Sequence, residues 1–104
     1  MEIEVGEYVR TRNGIIFKTT EYWVEEYNKE PKAYTILKHS SNIIDLIEIG
    51  DILRVFDNLS ETEEKVNIFD DEMLKAVKED IKDNNYKILS ILTHEQFSSL
   101  EYII

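Results

Sequence analysis

The sequence predicts a mainly β fold (β+α): two small half-units related by an internal repeat, plus one amphipathic helix. Three observations predict it. Residues 3–11, Ile-Glu-Val-Gly-Glu-Tyr-Val-Arg-Thr, match residues 47–55, Ile-Glu-Ile-Gly-Asp-Ile-Leu-Arg-Val. That match aligns Gly6 with Gly50, Glu7 with Asp51 and Arg10 with Arg54. A second pair follows in the same order, Thr35-Ile36-Leu37-Lys38-His39 and Ser90-Ile91-Leu92-Thr93-His94, and aligns the two histidines. Elsewhere short β-type runs alternate with turn residues, and one long stretch near 70–82 has helical period.

The first match is offset by 44 residues (Gly6 to Gly50) and the second by 55 (His39 to His94). The expectation is one compact domain, 1–104, made of pseudo-repeats 1–47 and 47–104. An insertion of about eleven residues then falls in the second, within an acidic stretch at about 57–85.

The elements follow in chain order. Gly6-Glu7 and Gly50-Asp51 each precede alternating apolar residues: glycine permits a positive φ, and the acid closes the turn. This is a frequent entry into a strand of a small barrel, so each half-unit is expected to be SH3-like or a similar barrel. Tyr8 to Thr11 and Ile15 to Lys18 read as a hairpin, with Asn13-Gly14 supplying type I′ turn chemistry. Thr20 to Asn28 reads equally as a strand or a short helix, ended by Pro31. Ser40-Ser41-Asn42 are cap-type residues. Asp51 to Phe56 is a strand, and Asp57-Asn58 a turn. Asp70-Asp71-Glu72 cap a helix whose stripe is Met73, Leu74, Val77 and Ile81, with Asp83-Asn84-Asn85 as the stop. Ile88 to Leu92 is a strand. Thr93 and Gln96 form a capping box for a helical turn over 94–99, and a last strand runs through Tyr102, Ile103 and Ile104.

Composition narrows the function. The 104 residues carry 22 acids against 12 Lys and Arg, a net charge of −10. Phosphate backbones and anionic membranes reward positive charge, so general electrostatic binding of nucleic acid is ruled out, and neither direct nucleic-acid contact nor a membrane is expected. There is no cysteine, hence no thiol chemistry. The acidic start, Met1-Glu2-Ile3-Glu4, has no apolar run, and no stretch approaches the roughly 20 residues of a membrane span. The expected location is the cytoplasm.

Catalytic patterns are missing. Ser40 and Ser41 lack a nucleophile-elbow context, Asp70-Asp71-Glu72 lacks calcium-loop spacing, and the three glycines form no phosphate loop. His39 and His94, at matching repeat positions, are expected to lie apart in structural roles, each bonded within its own turn. The expectation is no enzyme, no catalytic residue, no cofactor and no metal.

Two surfaces are candidates for partner binding. Residues 57–83 hold ten acids against four lysines, net −6 of the chain's −10. They are either a solvated face or a surface that mimics nucleic acid in a basic cleft, with Glu63, Glu64, Asp71, Glu72, Glu79 and Asp80 as candidate contacts. Tyr22, Trp23 and Tyr27 are either a core edge or an exposed anchor patch.

Three blocks carry a resemblance: Gly6 to Ile16, Lys38 to Asp51, and Ile91 to Phe97. They resemble small uncharacterised accessory proteins of phages and prophages of Firmicutes. In those proteins Gly-Asp is followed by Tyr-Val-Asn-Gly, where this chain has Ile52-Leu53-Arg54-Val55. The resemblance implies a phage accessory gene of no assigned activity and carries over no catalytic residue. It favours proteins that bind and block host machinery, so the expectation is a small acidic phage-encoded binding protein that inhibits or modulates a host protein in a bacterial cell, with nucleic-acid-handling defence proteins (anti-CRISPR-type) among the candidates. The alternative is a self-associating structural or assembly module of the phage or prophage, with no inhibitory role.

Overall fold

Each half of the chain starts on the same hydrogen-bonded turn. In the computed structural model, which describes residues 2–33 and 35–96, Glu7 N donates to Glu4 O at 3.1 Å and Asp51 N to Glu48 O at 3.2 Å. The third residue of each turn is glycine, with φ of +92° at Gly6 and +99° at Gly50. That is the type II position, which a side chain strains. Each glycine N–H is also bonded, Gly6 to Thr19 O and Gly50 to Ile68 O. The acid at the next position closes the turn with its carboxylate: Glu7 Oε2 accepts from Glu4 N at 2.7 Å, and Asp51 Oδ2 from Glu48 N at 2.8 Å.

The chain divides into two compact units, Met1–Leu46 and Ile47–Ile104. The first contains β1 (Tyr8–Thr11), β2 (Ile16–Lys18), α1 (Glu21–Lys29) and β3 (Ile36–Ser40), with short 3-10 helices at Pro31–Ala33 and Ile43–Leu46. The second contains β4 (Ile52–Asp57), β5 (Thr62–Asn67), α2 (Asp71–Lys82) and β6 (Tyr86–Leu92). Each is a three-stranded antiparallel sheet, ordered β2-β1-β3 and β5-β4-β6. The class is mainly β with helices, as expected. The sheets are open three-stranded layers and not closed SH3-like barrels. A β-β-α-β unit with one face under a helix has too few strands to close.

The repeat extends further than the sequence match. Both units run strand, strand, helix, strand, and both central strands shift register at equivalent places, Arg10/Thr11 and Arg54/Val55. Register also corrects the alignment. Val9 pairs with His39, whereas Leu53 pairs with Ile91. The counterpart of His39 is therefore Ile91, and His94 lies three positions further on. The expected insertion is corrected in the same way, because α2 has a counterpart in α1. The extra length goes into longer hairpin strands and a helix of 12 residues in place of 9.

Local chemistry explains the elements. The segment from Thr20, which reads as strand or helix, is helical: Thr20 is the N-cap, accepting from Trp23 N at 3.2 Å. The first hairpin is not a type I′ turn. Gly14 N donates to Thr11 O and Thr11 N to Ile15 O. Gly14 has φ of +83°, while Asn13 is not among the residues with positive φ. This is a type I turn with a glycine bulge. Asp70 caps α2 by accepting from Met73 N at 2.7 Å. Asn84, at φ +61°, ends it in the left-handed conformation asparagine tolerates. Val77 is buried, and Met73, Leu74 and Ile81 pack on the core of Leu53, Val55, Val66 and Ile68. The first unit's core is Ile3, Val9 and Tyr27 with Phe17, Trp23 and Ile36 against them. The helical turn from His94 is seen through Gln96; the rest of that turn and the expected last strand lie outside the described residues. Among the described residues no helix is long and apolar enough to cross a membrane.

The acid of the first turn also holds a histidine. His39 Nδ1 lies 3.2 Å from both oxygens of Glu7 and donates to that carboxylate. The Glu4 N–H, and after it His39, hold the Glu7 carboxyl below its ordinary 4.5, with partial burial opposing them. A lowered folded-state pKa means the unfolded chain takes up the proton first as pH falls. Glu7→Gln should therefore cost about 1 kcal/mol at neutral pH. That cost should be constant above pH 4.5 and shrink as pH falls below it. Denaturant melts of both proteins across the acid range check this; a cost that does not change with pH refutes it.

Candidate functional site

The acidic stretch divides by strand and helix period. On β5, Glu64 shares a face with buried Val66, toward α2, whereas Glu63 and Lys65 point to the opposite face. On α2, Met73, Ala76 and Asp80 occupy one flank of the helix. Glu72 and Glu79, seven residues apart, occupy its outer face, and Asp71 lies on the remaining flank. Asp71 and Glu72 also sit in the first turn, where acids favour the helix dipole. Of the six candidate acids the structure thus brings two together, Glu64 and Asp80.

They meet at a groove of about 420 Å³ between β5 and α2. Its floor includes Val66, Met73 and Val77, and Lys65 also borders it. Phe69 lines the same groove and is 72% exposed, a large apolar side chain left in solvent. Tyr86 lies beside both acids. Burial raises its phenol pKa above the ordinary 10.0, and the negative charges of Glu64, Asp80 and Asp57 raise it further. The groove has a partly apolar floor, and the negative charges of Glu64 and Asp80 border it.

The aromatic candidates separate. Trp23 stacks on Tyr27 at 5.2 Å and 13°, and meets Phe17 edge-on at 5.2 Å and 71°. Tyr27 is buried and Trp23 half-buried, so both belong to the first unit's core. Tyr22 alone is exposed, at 72%. Three aromatics within six helical residues cannot share one face; positions 23 and 27 do, and 22 lies round the helix from them.

One constellation was not found from sequence. Glu48, His94 and Glu95 bring one donor atom each within 4.8 Å of one another. His94 Nε2 lies 3.1 Å from Glu95 Oε1 and 3.6 Å from Glu48 Oε1. The adjacent His94-Glu95 pair was a weak signal for it. Aligning His94 with His39, three positions out of register, hid the approach of Glu48.

Removing both charges, in Glu64→Gln with Asp80→Asn, should lower the Tyr86 pKa toward 10.0, read from its ring resonances in a pH titration. An unmoved midpoint would place the carboxylates elsewhere. Because the folded-state value is raised, Tyr86 lends stability that is whole below pH 10.0 and lost as pH rises through the folded value. In the first unit, Trp23→Ala should cost about 3 kcal/mol by denaturant melt, and Tyr22→Ala less than about 0.5 kcal/mol. Equal costs would contradict the separation. No protein-family model, no curated protein and no solved structure matches this chain.

Proposed function

We propose that this chain is a small acidic protein-binding module whose β5–α2 groove receives a Lys/Arg-rich segment of a partner protein. The observation that carries the reading is the convergence of Glu64 and Asp80 on a partly apolar trough beside exposed Phe69. A lysine or arginine has an apolar stem and a charged head. The stem fits over Met73 and Val77, the head reaches the two carboxylates, and the Phe69 ring offers a cation–π face. Glu63, Asp71, Glu72 and Glu79 surround this contact and act at longer range, speeding encounter with a basic surface.

The resemblance to phage and prophage accessory proteins supports a host protein as the partner, in the cytoplasm of a bacterial cell. A basic, nucleic-acid-handling cleft has the required chemistry, and its occupation would inhibit or modulate that protein. The reading assigns no catalysis. The exposed residues of edge strand β5, Thr62 to Lys65, include three charges, which disfavours strand-to-strand assembly along it. That weighs against the structural-module alternative.

The test uses a fluorescent Lys/Arg-rich peptide and fluorescence anisotropy at low and physiological salt. Glu64→Gln with Asp80→Asn should weaken binding about three- to tenfold, the sum of two charge contacts. Glu72→Gln with Glu79→Gln should weaken it less, and that smaller effect should fade at physiological salt, where screening acts beyond about 8 Å. Equal losses from the two pairs, or no binding to the unaltered protein, would refute the groove as the site.

A further inference from the structure

We infer that Glu48, His94 and Glu95 form a binding site for a divalent transition-metal ion of the Zn²⁺ class. The donor set is mixed, an imidazole nitrogen between two carboxylates, which suits Zn²⁺ and its neighbours better than Mg²⁺ or Ca²⁺. The spacing fits. Zinc bonds of about 2.0–2.1 Å at the tetrahedral angle put neighbouring donors about 3.3 Å apart. The His94 nitrogen lies 3.1 Å from one carboxylate oxygen and 3.6 Å from the other. Three protein donors leave a fourth position for water, and the His94 side chain is 41% exposed, so an ion has access.

The ligands are also held in place by groups that are not ligands. Asp51 is fully buried, and its two oxygens accept from the backbone of two ligand residues, Glu48 N at 2.8 Å and His94 N at 3.0 Å. It thereby fixes positions 46 residues apart in the chain. Gly50 makes room: a Cβ there would lie 3.0 Å from His94 Cβ, whereas one on Gly6 would meet nothing within 4 Å. The turn common to both units thus carries an added feature in the second, and that feature seats the histidine. This site is separate from the β5–α2 groove and stands or falls independently of it.

The test titrates ZnCl2 into the full chain, by calorimetry and by NMR of the two histidine rings. One saturable site is expected, with the His94 ring resonances shifting and those of His39 unmoved. Excess Mg²⁺ should not displace the ion. Glu48→Gln and His94→Ala should each weaken binding at least about tenfold, while His39→Ala leaves it unchanged. The ring resonances need no variant, so the result stands even where a substitution unfolds the second unit. Unshifted His94 resonances at excess Zn²⁺, displacement by Mg²⁺, or unaltered affinity in folded His94→Ala would overturn the site and leave His94 as an ion-pair partner of the two glutamates.

Discussion

The buried carboxylate of Asp51 ties the second unit together. Its side chain accepts from Glu48 N, which closes the turn, and from His94 N, which anchors the chain after β6. Its own carbonyl accepts from Ile68 N and so fixes the end of β5. A fully buried carboxylate is costly unless hydrogen bonds satisfy it. These segments therefore assemble around Asp51 together, and the position of each depends on the others. The groove and the Glu48–His94–Glu95 cluster both rest on segments placed this way.

The first unit uses the same turn with a longer acid. Glu7 closes the turn and also reaches the His39 ring, one strand across. Both acids accept from the turn's own backbone, and the extra methylene changes the second partner from the His94 backbone to the His39 side chain. Further substitutions within the same frame give the two units different surfaces. Arg10 is fully buried and donates from Nη1 to Leu46 O at 2.8 Å, because the 3-10 helix Ile43–Leu46 packs on that face of the sheet. Arg54, at the matching position, is exposed. A repeat of backbone need not be a repeat of function, since side-chain environment decides what each position does.

Charge in this protein is also sorted by geometry. The acids of residues 57–83 look uniform along the chain, yet strand alternation and helical period send them to several faces. Some favour the α2 dipole, some face solvent, and Glu64 with Asp80 border a partly apolar groove. Only the last pair has both apolar surface and convergent charge, which are the ingredients for seating a basic side chain. The proposed function rests on that difference and not on net charge.

Much of the fold was legible because its signals are local. The Gly-acid turns, the cap at Asp70, the stripe of Met73, Leu74, Val77 and Ile81, and the repeated order of segments follow from backbone chemistry within a few residues. What was not legible depends on register and packing. Histidines three positions out of register look aligned in a short apolar match, and only the pairing of Leu53 with Ile91 separates them. The helix of the second unit looked like an insertion because α1, rich in aromatics and acids, reads ambiguously until Trp23 and Tyr27 stack in a core. Which acids converge, and that Glu48 meets His94 across 46 residues, were decided by the tertiary structure alone. Such contacts arise when a buried carboxylate and a sheet register join distant segments, and no local pattern encodes that distance.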